Sequence, residues 1–317
     1  MVSVAIATYN GEKYIQKQLD SILNQTVRAD EVIICDDRST DSTVDICRRF
    51  IKENDLSNWY VFVNDKNVGF CLNFYGAVSR CQGDVIFLSD QDDEWCKEKI
   101  ERMTMCLNNH PEIKVLSSRY DVIDANSNVI ENSGVKYIGN TFDGSIEYIT
   151  ERSLIGCSYI RGFSLCLKKE VSELIKPIDL KSLLAHDWLI SYLGSITGKT
   201  AILNEKLAHY RYHGENASIY AIDKSKNTHD IKKRILGLEE SVNGHSYVLT
   251  LTKNEKNKKV LQKFIKFEKL RIKYLKEKNI FLWLVLVLFM KHYNKYYKGN
   301  GIRVWLGDLV YVLKNKG

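Results

Sequence analysis

Apolar positions in the first ninety residues fall into short β-branched runs separated by longer stretches with helical spacing. "VSVAIATY" (2–9) reads as a strand, and Ile15, Leu19, Ile22 and Leu23 follow at i, i+4, i+7 and i+8, one face of a helix. "EVIICDD" (31–37) gives a second strand, and Ser42 then stands as the expected cap of a helix carrying Val44, Ile46 and Cys47. "YVFVND" (60–65) and "DVIFLSD" (84–90) read as two more buried strands, with a helical stretch around 70–81 between them. Repeated β-α units predict an α/β fold, a mostly parallel central sheet flanked by helices.

In such sheets ligands bind beyond the carboxyl ends of the strands, near the point where strand order reverses. Three polar clusters fall there: Tyr9-Asn10, Asp36-Asp37 and the acids of "FLSDQDDEW" (87–95). "YNGEKY" follows the first strand, where a dinucleotide fold would carry G-x-G-x-x-G, so a nicotinamide-dependent dehydrogenase is disfavoured. "GSITGKT" (194–200) imitates a phosphate-cradling loop. The position five before Gly198 is Leu193, however, and the expected order there is helix, loop, strand "TAILNEKL", the reverse of what a helix N-terminus needs to hold phosphate.

Four acids within five residues, Asp90, Asp92, Asp93 and Glu94, repel one another unless a cation sits among them. Hard divalent ions such as Mg²⁺ or Mn²⁺ take oxygen ligands and leave positions for phosphate oxygens. The alternative is an acidic turn at the start of the next helix, where Ile100, Met103 and Leu107 make an apolar face and acids favour the N-terminus. A phosphohydrolase with an Asp nucleophile in D-x-D-x-T fits poorly, because the first strand has no Asp and "DQDDE" has no Thr.

Charge divides the chain. Overall it is +7, but residues 221–317 hold 22 Lys+Arg against 8 Asp+Glu, a balance of +14, leaving −7 for the first 220. Two regions are therefore expected: a catalytic domain over 1–220 and a basic helical extension over 221–317. In the extension, Val260, Phe264, Phe267 and Ile272 lie near helical spacing among lysines, and "IFLWLVLVLFM" (280–290) adds 11 apolar residues. Eleven is short of the ~20 needed to cross a bilayer. Two readings stand: a helix lying on an anionic membrane surface, or one packing on the catalytic domain or a second subunit. No nucleic-acid motif accompanies the charge. The 8 cysteines, with no C-x-x-C pair, read as reduced thiols, and the N-terminal run lacks a secretory pattern, so the expected location is cytoplasmic, with the inner membrane face as an option.

"SVAIATYNGEKYIQKQLDSILNQT", "EVIICDDRSTDST", "NVGF", "FLSDQDDEW", "HDW" and "YRYHGEN", in that order, resemble the segments of inverting family 2 glycosyltransferases of the GT-A fold, with the bacterial rhamnosyltransferase-like enzymes the subgroup they look most like. The resemblance covers residues 2 to about 218. It implies that Tyr9, Asn10, Asp36 and Asn67 hold the nucleoside, Asp90 the ribose or metal, and Asp92 the metal on the diphosphate. It also implies that Asp187 is the catalytic base, that His213 reaches the metal or diphosphate, and that Arg211 adds positive charge there. On the residues alone, His213 also reads as a hydrogen-bonded loop histidine and Asp187 as a helix-start acid. The implied donor is a nucleoside-diphosphate sugar, dTDP-L-rhamnose first and a UDP-hexose second, and the acceptor a glycan or lipid-linked precursor. Binding without turnover is the non-enzymatic alternative. Arg38 departs from the family's D-D-G-S-T-D, where Gly suits a positive φ, so a different loop is expected after Asp37.

Overall fold

The computed structural model describes residues 1–131, 142–156, 160–175, 186–213, 231–297 and 299–314. Cys157, residues 214–216 of "YRYHGEN" and the 220/221 boundary lie outside them. The chain divides into two compact units, one of Met1–Thr150, Tyr159–Lys181 and Ala185–His213, the other of Glu151–Ser158, Ser182–Leu184 and Gly214–Gly317.

The first unit opens with β1 (Val2–Thr8), α1 (Ile15–Leu23), β2 (Glu31–Asp36), α2 (Thr43–Glu53), β3 (Trp59–Val63), α3 (Phe70–Arg80) and β4 (Val85–Ser89). β5 (Glu94–Trp95), α4 (Lys99–Asn109), β6 (Ile113–Ile123) and β7 (Ile146–Ile149) follow. After α5 (Glu151–Leu154), which belongs to the second unit, come β8 (Leu165–Lys168), α6 (Lys169–Ser172), α7 (His186–Thr197) and β9 (Lys199–Arg211).

Among the described residues the sheet runs β3-β2-β1-β4-β8-β6-β9-β5, with β7 also on β9. The first four strands are parallel, as the β-α repeats predict. Beyond β4 the sheet is mixed: β8 is antiparallel to both β4 and β6, while β6 and β9 are parallel. β8 follows β7 and the short α5, but β7 pairs with β9, so no direct β-α crossover joins β8 to either of its sheet neighbours. Val4, Ile6, Val32, Ile34, Phe87, Leu116 and Cys166 share the fully buried core with Ile15 and Leu19 of α1 and Ile100 and Met103 of α4. The faces of α1 and α4 named from spacing are thus ones that cover the sheet, while α2 buries Thr43, Cys47 and Phe50 and leaves Val44 and Ile46 half-buried.

Order reverses at β1, which has β2 on one side and β4 on the other, and Thr8 pairs with Asp36 while Ile6 pairs with Ser89. Tyr9, Asp37 and Asp90 therefore emerge side by side at the switch point, where ligands bind. "GSITGKT" ends α7 and starts β9, so no helix N-terminus follows it. Gly194 serves packing: a Cβ there would lie 2.4 Å from Val115 Cγ2 on β6.

The second unit is helical: α5, α8 (Ile231–Leu251), α9 (Glu255–Glu277), α10 (Ile280–Val285) continuing into a 3₁₀ turn (Leu286–Phe289), α11 (Met290–Tyr296) and α12 (Gly301–Lys314). Asn254 caps α9 by accepting from Lys256 and Asn257 N–H, and Asn279 caps α10 by accepting from Phe281 N–H. α9 buries Leu261, Phe264, Phe267, Arg271 and Tyr274, an i, i+3, i+4 face. Arg271 and Asp308, both fully buried, join through two N–H···O bonds of 2.7 and 2.9 Å, and Tyr293 donates to the same carboxylate at 2.9 Å. Among the described residues no helix is long and apolar enough to cross a membrane.

Candidate active site

The acidic loop after β4 is locked to its neighbours from three sides. The Gln91 side chain accepts from Tyr9 N–H at 2.8 Å and donates to Tyr9 C=O at 3.0 Å. That fit requires Gly11, because a Cβ there would meet Gln91 Oε1 at 2.2 Å. Below the loop, Asp93 is fully buried and accepts from Arg211 N–H at 2.9 Å. Arg211 itself, the last residue of β9, is also fully buried. Its guanidinium donates to Asp92 C=O at 2.8 Å, to Asp124 C=O at 2.9 Å and to the Glu94 carboxylate.

Sequence reasoning assigned Arg211 to the nucleotide, and the geometry corrects this. Its charge is spent holding the backbone of the acidic loop from behind, and the side chain has no exposed surface. Asp36 needs a similar correction. It is 1% exposed, and its oxygens accept from Thr8 Oγ1 at 2.7 Å, from Ser39 Oγ at 2.5 Å and from Ser39 N–H at 2.7 Å, so it shapes the loop from within. Asp37 accepts from Val68 and Gly69 N–H, both at 2.8 Å, fixing the entry to α3. Tyr9, Asn10 and Asn67 do stand exposed at the strand ends. At α2 the expected cap Ser42 makes no side-chain cap bond; Asp41 instead accepts from Thr43 N–H at 3.0 Å.

The loop after Asp37 keeps a left-handed residue: Arg38 has φ 64°, and its guanidinium donates to Asp65 C=O. The expectation of a different loop is not met at that position, since the arginine takes a conformation that glycine reaches without a Cβ clash.

Asp92 and His213 meet directly, Nε2 to Oδ2 at 2.8 Å, and the His213 ring lies 4.8 Å from that of Tyr14. Asp90 and Asp187 are half-buried and close enough to influence each other's charge. Burial, then Asp92 and Asp187, push the Asp90 carboxyl up to about 8. Burial pushes Asp187, in the first turn of α7, up to about 6, opposed by the Trp188 N–H bond to its Oδ1 at 2.6 Å and by Arg161. Asp93 is also raised well above the carboxylate range, first by burial and then by Asp92.

Arg161, which sequence reasoning missed, is the cation that lowers both Asp90 and Asp187 and hydrogen-bonds Tyr120. A lone arginine between two elements offers no periodic signal, so only the fold brings it to these acids. His186, beside Asp187, packs rather than titrates. It stacks on Phe74 at 4.1 Å, and burial lowers it to about 4.

Among the described residues no three side chains are gathered as a metal site. Asp92 and His213 lie together, but their Oδ2 and Nε2 are bonded to each other at 2.8 Å. Mg²⁺ keeps several waters and commonly takes only one or two carboxylates besides substrate phosphates. Carboxyls raised by burial and then by neighbouring acids, as Asp90 and Asp93 are, are also what a nearby cation would lower. One carboxylate and one imidazole, released from their mutual bond, would suit a divalent ion whose other positions were filled by phosphate oxygens and water.

Parallel strands around a switch point carry an Asp-x-Asp loop at the end of β4 with a histidine on its second aspartate, the place where ligands bind in such sheets. Residues 3–166 match the sequence model of glycosyl transferase family 2, more than half of the chain, and the chain belongs to that family. It is 29% identical over 224 residues to dTDP-rhamnosyl transferase RfbG of Shigella flexneri, covering 67% of this chain and 72% of the relative. It is 30% identical over 233 residues to chondroitin synthase of Escherichia coli, covering 72% of this chain but only 31% of that much longer protein. In fold it is similar to S. aureus TarS 1-349 solved with UDP-GlcNAc, with TM-score 0.58 at 16% identity over 90% of each chain.

Proposed function

We propose that the chain moves a sugar from a nucleoside diphosphate to a glycan or lipid-linked acceptor in bacterial surface polysaccharide synthesis, with inversion at the anomeric carbon. The observation that carries this is the meeting of Asp90, Asp92, Asp187 and His213 at the switch point of a family 2 sheet. Asp187 takes the proton of the acceptor hydroxyl as its oxygen bonds to the anomeric carbon and the bond to the diphosphate breaks. A carboxyl raised to about 6 is still ionised at neutral pH, and is a stronger base than an ordinary aspartate. Asp92 and His213 would hold Mg²⁺ or Mn²⁺, which when bound neutralises charge on the leaving diphosphate. Tyr9, Asn10 and Asn67 stand at the nucleoside end, Asp90 faces the ribose or the metal, and Arg161 offers positive charge beside the departing phosphate.

The leading donor is dTDP-L-rhamnose, supported by the motif likeness and by the relative named dTDP-rhamnosyl transferase. A UDP-hexose is the second reading, favoured by the fold likeness to a TarS structure containing UDP-GlcNAc. Calorimetric titration of both donors with Mg²⁺ or Mn²⁺, followed by acceptor-dependent release of the nucleoside diphosphate, tests both readings. Donor binding without release in the presence of acceptor glycans would leave a nucleotide-sugar-binding protein. Failure to bind any nucleotide sugar would overturn the proposal.

A further inference from the structure

The helical unit carries a surface that the transfer chemistry does not use. Phe281, Leu284 and Leu288, at i, i+3 and i+7 along α10 and its 3₁₀ turn, are 73, 50 and 79% exposed. On α12, Ile302, Leu306 and Val310 repeat at i, i+4 and i+8 with 60, 46 and 47% exposure. Each set forms one stripe of a helix face. The two helices are joined by Trp283 and Trp305, whose rings stack at 4.0 Å and whose indole N–H groups donate to each other's backbone carbonyls at 2.9 and 3.0 Å. The stripes therefore stand on a fixed pair of helices.

The charge around them is mostly positive. Residues 278–317 contain seven Lys or Arg and one acid, Asp308, which is fully buried on Arg271. Lys291, Arg303 and Lys314 are exposed beside the stripes, with no exposed carboxylate in this segment. We propose that this face seats the enzyme on an anionic lipid bilayer, Phe281 and Leu288 entering the interface while the cations meet the headgroups. Exposed apolar side chains gain by leaving water, and each nearby Lys or Arg adds attraction to an anionic surface. A second copy of this chain is the poorer occupant, because two such faces would set several cations against one another with only Glu277, already paired with Lys273, as an exposed acid nearby. The inference sharpens the membrane side of the proposed acceptor and is independent of the transfer chemistry.

The test uses full-length protein sedimented with vesicles of phosphatidylcholine alone or mixed with phosphatidylglycerol. The wild type is expected to follow the mixed vesicles at low salt and to be released as salt rises. Phe281→Ser and Leu288→Ser each lower the partition coefficient by roughly tenfold or more, as loss of a large buried apolar group requires. Circular dichroism of both variants stays native, since neither side chain is buried. Equal vesicle binding by the double variant, or none by the wild type, overturns the proposal. So does a dimer in sedimentation velocity that the double variant dissolves, which would assign the face to self-association. Donor binding measured without vesicles reports on sugar transfer separately, and the double variant is expected to retain it.

Discussion

Two regions of the molecule bury charge, and they do it in opposite ways. In the helical unit, Asp308 is matched by two N–H···O bonds from Arg271 and a hydroxyl from Tyr293. At the ends of the parallel strands, Asp90, Asp93 and Asp187 sit among other carboxylates, with burial raising all three. A buried charge that the protein itself completes is a structural part. A set of acids that it leaves incomplete is shaped for something that arrives later.

The sharpest break in that comparison is Asp187→Asn. Acceptor-dependent transfer should fall by roughly 10²–10⁴-fold, as for loss of a general base, while donor affinity by calorimetry stays near wild type. In the unaltered enzyme the rate should rise with pH through about 6, as Asp187 loses its proton, and then level off.

Next comes the paired region. Asp308→Ala leaves Arg271 buried without its acid and should cost about 3–5 kcal/mol in denaturant unfolding, with donor affinity unchanged. Asp90→Asn should do the reverse: stability at pH 8 holds or rises, because no carboxyl remains to be ionised in a buried place, while donor binding weakens. Equal destabilisation by the two variants would erase the distinction.

The pH dependence of stability follows from the raised acids. Asp90 keeps its proton in the folded chain up to about 8, whereas the unfolded chain releases it near 3.8. The folded state binds more protons across that window, so its advantage is present at low pH and is lost as pH rises through about 8. Melting temperatures from pH 4 to 8 should decline without a divalent ion and flatten with saturating Mg²⁺ and donor.

The smallest effect lies at Arg38. Replacing it with glycine removes a left-handed strain of about 1 kcal/mol but adds freedom to the unfolded chain, so the net gain should stay below about 1 kcal/mol. A loss of donor affinity in that variant, by calorimetry, would give the arginine a binding role.

Much of this was legible in the chain, and the reasons differ by element. The first four strands could be read because apolar runs and helical faces alternate, and periodicity is a local property. The Asp92–His213 pair was named from motif order, and the fold does bring the two together. The burial of Asp36 and Arg211 was not legible, because residue type does not reveal burial and a charged side chain behind a loop looks in sequence like one in front of it. Arg161, Gln91 and the antiparallel β8 depend on contacts between distant segments, which no local pattern encodes. The helical spacing of the extension was readable, but not which of its apolar residues would face outward.

The Gln91 amide also bears on how the site can move. It bonds Tyr9 through one N–H and one C=O, as a peptide group would, so it acts as an additional rung joining two neighbouring parallel strands just past the point where their own ladder stops. The residues after β1 and the acids after β4 are thereby held in one register. The spacing between these two loops is thus set by the protein's own bonds, without help from a ligand.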